Sequence, residues 1–545
     1  MLASLSSLMS DIALGPERRK VKQYLDTATR DTVYADLARI LSWQLKRPQF
    51  FQETFDKYCI EDPSSHEKYW TAESFHSHIR SSHSADAISD GAVALLWRIF
   101  HFYAYHPFPP DPQQHTNVDF GAFRRAALLT VSQCDDLLGT RELDWYWRES
   151  GVFFRKAGFA RIFRSIAVPD RRFSAQQETE DAASSALSDA MDVLIMVGPQ
   201  FIHAVPSETQ LESVARRLFA DGPAVPRRSL VRREDISTFM ELLVRLRLRD
   251  EKWAKSYHFG AIVQARSANG DLTKGLVDGL TGTYSEQNIT AKPFSEHIEL
   301  MPNLSLRFQQ LWAVLFQPPG ADNMSKLSVD EARLTSIAGA ISLFAPHIMV
   351  DNSGRQRPDE QDTRLKLDTA QVSLDSQDMT MPHLCQNVSD DSTAHIVLVT
   401  TAADDSSPTT VIGAYLPNRN PVEVTSPYLS IKLDASHILF QLQPSFRLLR
   451  YSKSQMPLAD LISPEWEASS DAPIPEGDSN LPYRIGGALR VDPTKRIATL
   501  TNGLRGCYME VPLGGKENTE NTWEVTVPDA HIDIFALPSS RDSNT

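Results

Sequence analysis

Three histidines, His76, His78 and His83, are spaced H-x-H-x4-H, close enough along the chain for their imidazoles to meet one zinc ion. No cysteine or firmly placed carboxylate accompanies them to complete a tetrahedron, so the pattern predicts a polar loop between helices. Leu513-Gly514-Gly515-Lys516-Glu517 imitates a phosphate loop, yet Glu510 stands where its first glycine is required and Glu517 where its hydroxyl residue is required. Both the backbone cradle and the magnesium ligand are thereby lost. The sequence contains no G-x-S-x-G elbow and no H-E-x-x-H pair. Asn117-Val118-Asp119-Phe120-Gly121-Ala122-Phe123 and Glu234-Asp235-Ile236-Ser237-Thr238-Phe239 resemble the helix starts of EF-hands, but no D-x-D-x-D-G run with its terminal Glu supplies the oxygen ligands. The sequence therefore points to no catalytic residue, no metal and no cofactor.

Two carboxylates, Glu510 and Glu524, keep a hydrolase reading open, which requires them to share a cleft and to titrate high. Arg216, Arg217, Arg227, Arg228, Arg232 and Arg233 form a basic cluster in an acidic chain, readable as a solvated face or as a patch for an acidic partner. Cys59, Cys134, Cys385 and Cys507 are scattered with no CxxC, which indicates neither a disulfide framework nor a zinc site.

The bulk numbers set the frame. At 545 residues the chain is too long for one core and predicts two or three domains at the usual ~150 residues each. A net charge of -14 argues against a general nucleic-acid binder, which carries a basic footprint. The start, Met1-Leu2-Ala3-Ser4-Leu5, lacks the layout of a signal peptide, and Leu2 stands where myristoylation needs glycine. The longest apolar stretches, Met191 to Val197 and Ile337 to Val350, are too short or too interrupted to span a bilayer. The expectation is a cytoplasmic protein that meets membranes only indirectly.

Residues 1–275 carry helical spacing. Ile236, Phe239, Met240, Leu243 and Leu246 line one face, with Arg245 and Arg249 opposite and Asp235 or Ser237 as candidate caps. Similar periodicity runs through Val33 to Leu45, Ala92 to Tyr103, Phe120 to Leu138 and Asp144 to Ile166, so this region is expected to be all helix. The last third alternates instead. Ile438, Phe440 and Leu442 interleave with Leu439, Gln441 and Gln443, and Trp523, Val525 and Val527 repeat the pattern, which predicts strands with one buried face. On that reading Phe440 points inward and Leu439 faces wetter surroundings. Gly413, Gly486 and Gly487 mark a turn, a bulge or a close backbone approach. Ala403 to Pro408, Asp351 to Asp378 and Ser463 to Asn480 read as polar loops.

Five pieces in order carry a resemblance: Leu300-Met301-Pro302 before a strand centred on Trp312-Ala313-Val314-Leu315-Phe316; Gly413-Ala414-Tyr415; Leu439 to Phe446 with Pro444; Gly486-Gly487 leading to Leu489, Val491 and Asp492; and Trp523 to Phe535. Together they resemble the TLDc family, and the layout of a helical half followed by this domain is similar to the fungal restriction-of-telomere-capping and growth-signalling members. Where the family has His-Gly-x-Ser, this chain reads Gly320-Ala321-Asp322-Asn323-Met324-Ser325, and Ile532-Asp533-Ile534-Phe535 replaces a closing Leu-Glu-x-Trp.

The resemblance implies an α+β protein: a helical N-terminal region followed by a TLDc-type two-sheet β-sandwich with flanking helices, at residues 281–540 and interrupted by a polar insertion at about 321–382. It further implies a non-catalytic protein that docks on a large partner, the peripheral sector of the vacuolar proton-pumping ATPase, with a role in its assembly or in resistance to oxidative stress. Such a protein would be recruited to the vacuole or lysosome surface. The rival readings are the hydrolase and a scaffold that acts through its helical half.

Overall fold

Helical spacing gives way to strand alternation along the chain, and the computed structural model follows that change. The structure describes residues 2–43, 48–108, 117–131, 151–169, 180–199, 206–220, 229–254, 257–264, 269–281, 288–289, 301–318, 328–345, 367, 372–374, 379–388, 394–401, 410–417, 437–451, 462–464, 481–502, 508–510 and 522–537.

The chain begins with α1 (Leu2–Thr27) and α2 (Arg30–Trp43), then two helix–loop–helix units, α3 (Pro48–Tyr58) with α4 (Ala72–Ser82) and α5 (Asp90–Ala104) with α6 (Phe120–Val131). Their loops carry β1 (Ile60–Glu61), β2 (Lys68–Trp70) and β3 (Val118–Asp119), and β2 joins β3 antiparallel through Tyr69↔Asp119 and Trp70↔Val118. The helices leave these loops on side-chain caps: Thr71 accepts from the Ser74 N–H, Ser89 from Ala92 and Asp119 from Ala122.

A similar join of two loops follows. After α7 (Gly151–Ile166), β4 (Val168–Pro169), α8 (Glu180–Val197) and α9 (Glu208–Ala220) come β5 (Ser229–Arg232) and α10 (Arg233–Val244). The hairpin β6 (Leu246–Ala254) and β7 (Tyr257–Ile262), α11 (Asn269–Thr281) and β8 (Asn288–Ile289) complete the group, and β5 pairs with β8 through Val231↔Ile289. The first half is thus not all helix. Leu246 lies at helical spacing from Leu243 and at strand spacing from Leu248, and the chain takes the second option. Nor does Arg245 face solvent: it sits just past the helix end, only 3% exposed, with its guanidinium on Val263 O at 2.7 Å. Neither Asp235 nor Ser237 caps α10, because the helix starts earlier, after Arg232.

Two further corrections concern the middle of the chain. The segment around Trp312 is a helix, α12 (Leu304–Leu315), because Leu304, Phe308, Leu311, Trp312 and Leu315 repeat at three and four. A five-residue apolar run such as Trp312 to Phe316 cannot by itself distinguish the two periods. The supposed polar insertion contains α13 (Val329–Phe344), opened by a capping box in which Ser328 and Glu331 bond each other's backbone. Its Ile337, Ala338, Ala340, Ile341, Leu343 and Phe344 are buried.

The remainder is the sandwich: β9 (Val372–Leu374), α14 (Met381–Val388), β10 (Ala394–Thr401), β11 (Val411–Leu416), β12 (Ile438–Gln443), β13 (Arg447–Tyr451), β14 (Ile462–Pro464), β15 (Tyr483–Ile485), β16 (Leu489–Asp492), β17 (Ile497–Thr501), β18 (Tyr508–Glu510), β19 (Glu524–Val527) and β20 (Ala530–Leu537). Seven strands form one antiparallel sheet in the order β18-β13-β12-β11-β10-β20-β9, and five form the other in the order β14-β15-β16-β17-β19. β9, inside the supposed insertion, closes the edge of the larger sheet through Ile532↔Leu374.

Alternation along the larger sheet sends its residues into two different cores. Val397, Val399, Ile412, Ala414, Leu439, Leu449, Ile532 and Ile534 join Tyr483, Ile485, Leu489, Val491, Ala498, Leu500 and Val527 of the smaller sheet. Ile396, Leu398, Val411, Tyr415, Phe440, Leu442, Leu448 and Phe535 instead enter a continuous core with the helices, which reaches back to Val21. Leu439 is therefore as buried as Phe440, both at 0% exposure, and the expectation of a wet second face fails. The central sheet of a three-layer stack is buried on both sides.

Candidate functional site

Of the three histidines, His78 and His83 are buried and His76 is not, and α4 with its C-cap holds them in place of the expected polar loop. His78 Nε2 lies 3.0 Å from the Leu315 carbonyl of α12, so that nitrogen carries the proton, and its ring stacks on Phe316 at 4.9 Å. Burial pushes His78 down to about 4 and His83 likewise to about 4, which keeps both neutral. His76 turns to Asp90 at 3.1 Å. The trio does not converge, and among the described residues no group of three or more His, Cys, Asp or Glu side chains is arranged to hold a metal ion.

The arginines are committed within the protein. Arg216 binds Glu212 at 2.6 Å within α9, and Arg217 reaches the Leu25 and Ala28 carbonyls at the end of α1. Arg232 meets Glu234 and Asp235, and Arg233 meets Asp278 of α11. Arg227 and Arg228 lie outside the described residues, as does the glycine–lysine segment at 513–517. The described members thus serve helix contacts as well as the surface.

The two carboxylates of the hydrolase reading occupy different sheets. Glu510 pairs opposite Leu449 on the edge of the larger sheet, whereas Glu524 is exposed on the smaller one opposite Thr501. Gly413 fits its expected role, because a Cβ there would come within 2.4 Å of Val397 O and 2.7 Å of the Phe440 ring. Gly486 and Gly487, with φ of 61° and 80°, make the turn between β15 and β16 in the left-handed region that favours glycine.

A buried charged cluster that no sequence motif announced lies between α7 and α8. Arg161 on α7 lies 3.3 Å from Asp192 and 3.7 Å from Asp189 of α8, Arg164 also binds Asp189, and His106 sits 3.9 Å from the same carboxylate. Burial works against ionisation of Asp189, yet Arg164, His106 and Arg161 hold it below the ordinary carboxylate value. Burial also drives His106 down to about 3. Arg161, Asp189, Asp192 and His106 are all at most 5% exposed, which closes the cluster to a substrate and makes it an ion-paired seam between two helices. Spacing along the chain contained no signal for it, since its members are drawn from two helices and the turn after α5.

Four of the five segments that carried the family resemblance meet in the sandwich, on β11, β12, the β15–β16 turn, and β19 with β20, which cross from the smaller sheet to the larger. The fifth, around Trp312, packs against Phe75 and Phe100 of the first helical units, with ring centroids 6.3 and 5.9 Å away. No protein-family model matches the sequence, and no curated protein matches it. Among the described residues no helix is long and apolar enough to cross a membrane.

Proposed function

We propose that this chain is a non-catalytic docking protein of TLDc type that associates with the peripheral sector of the vacuolar proton-pumping ATPase and acts in its assembly or in the response to oxidative stress. The observation that carries the reading is the meeting of four resemblance-bearing segments in one antiparallel sandwich, where Gly413-Ala414-Tyr415 lies beside Leu439-Phe440 in register. The absent catalytic signatures and the separation of Glu510 from Glu524 support it as well. Docking through sandwich loops onto a complementary face would make charge set the association rate and its salt dependence more than the affinity.

The test is co-sedimentation of the full chain with isolated peripheral sectors across a salt series, alongside an assay for ester and phosphoester hydrolysis. Saturable binding without turnover is expected. No association at any salt would overturn the reading.

A further inference from the structure

We draw no further inference here: the strongest candidate, the buried side-chain cluster between α7 and α8 in which Arg161, Arg164, Asp189 and Asp192 meet His106 with its Nε2 unpartnered, is sealed from solvent and belongs to the ion-paired helix contact already described.

Discussion

In the helical half, arginines are spent on backbone carbonyls; in the sandwich, the backbone closes its own bonds and the side chains are free to be apolar. Arg30 at the start of α2 reaches the Leu218 and Phe219 carbonyls at the end of α9, and Arg217 of α9 reaches the Leu25 and Ala28 carbonyls at the end of α1. Arg307 of α12, only 3% exposed, serves Leu243 in the last turn of α10 and Leu246 at the start of β6, and Arg245 serves Ala87 ahead of α5 and Val263 just past β7. Each helix leaves its last carbonyls without partners inside the helix, and where helix ends are buried something must donate to them. Sheets have no such ends in their interior, since every inner strand bonds both neighbours. The core between the two sheets is accordingly built of aliphatic side chains and one tyrosine, and Asp492, at a turn where Lys495 N–H and Arg490 answer it, is the buried carboxylate recorded on the sandwich among the described residues.

The sharpest break of this contrast is to put a charge where the sheet tolerates none. Phe440→Asp buries a carboxylate with no partner in the helix-facing core and should cost more than about 4 kcal/mol, enough to abolish the cooperative melt or leave little folded protein. A modest shift in Tm would mean that water reaches this face. Next come two substitutions that probe the halves on equal terms. Arg307→Met keeps bulk but leaves two buried carbonyls unanswered, for about 3–5 kcal/mol by denaturant titration, and Leu439→Ala opens a cavity between the sheets for about 2–5 kcal/mol. If Arg307→Met proves neutral, carbonyl capping is not what these arginines contribute.

Acid should separate the halves further. His78 and His83 titrate near 4 in the fold and near 6.5 when exposed. Between those values the unfolded chain takes up protons that the folded chain refuses, so their contribution is whole above about pH 6.5 and drains as the pH falls toward 4. Each such histidine is worth on the order of 3 kcal/mol. His78→Gln, whose amide can still donate to Leu315 O, should flatten part of that slope, and an unchanged pH profile would contradict the buried neutral imidazole. The smallest effect belongs to the surface. Arg216→Ala loses an exposed pair with Glu212 and should change stability by less than about 0.5 kcal/mol.

Particular residues mark how far the sequence reaches. The helices over 90–104, 120–131 and 151–166 and the strands over 438–443 and 524–527 follow from spacing, because local periodicity is what both the backbone and the core respond to. At Trp312 the family resemblance implied a strand, whereas the spacing of Leu304, Phe308, Leu311, Trp312 and Leu315 is that of the helix observed. Leu439 is different: alternation correctly assigns it to the face opposite Phe440, yet nothing local says whether that face meets water or a second sheet. The same holds for Arg161, Asp189 and Asp192, whose burial as ion pairs depends on α7 packing on α8.

What the sequence determined by itself is the α+β composition, the order of helices before strands, and the glycines that a turn and a tight strand crossing demand. Only the tertiary structure decided that the larger sheet is buried on both faces, that β9 and α13 belong to the folded body, that the histidines are neutral donors and packing rings, and that the arginines close helix ends. Periodicity is a property of neighbours along the chain. Which surfaces meet, and which polar groups lose their water in meeting, depends on segments far apart in sequence, such as Arg30 with Leu218 or His78 with Leu315.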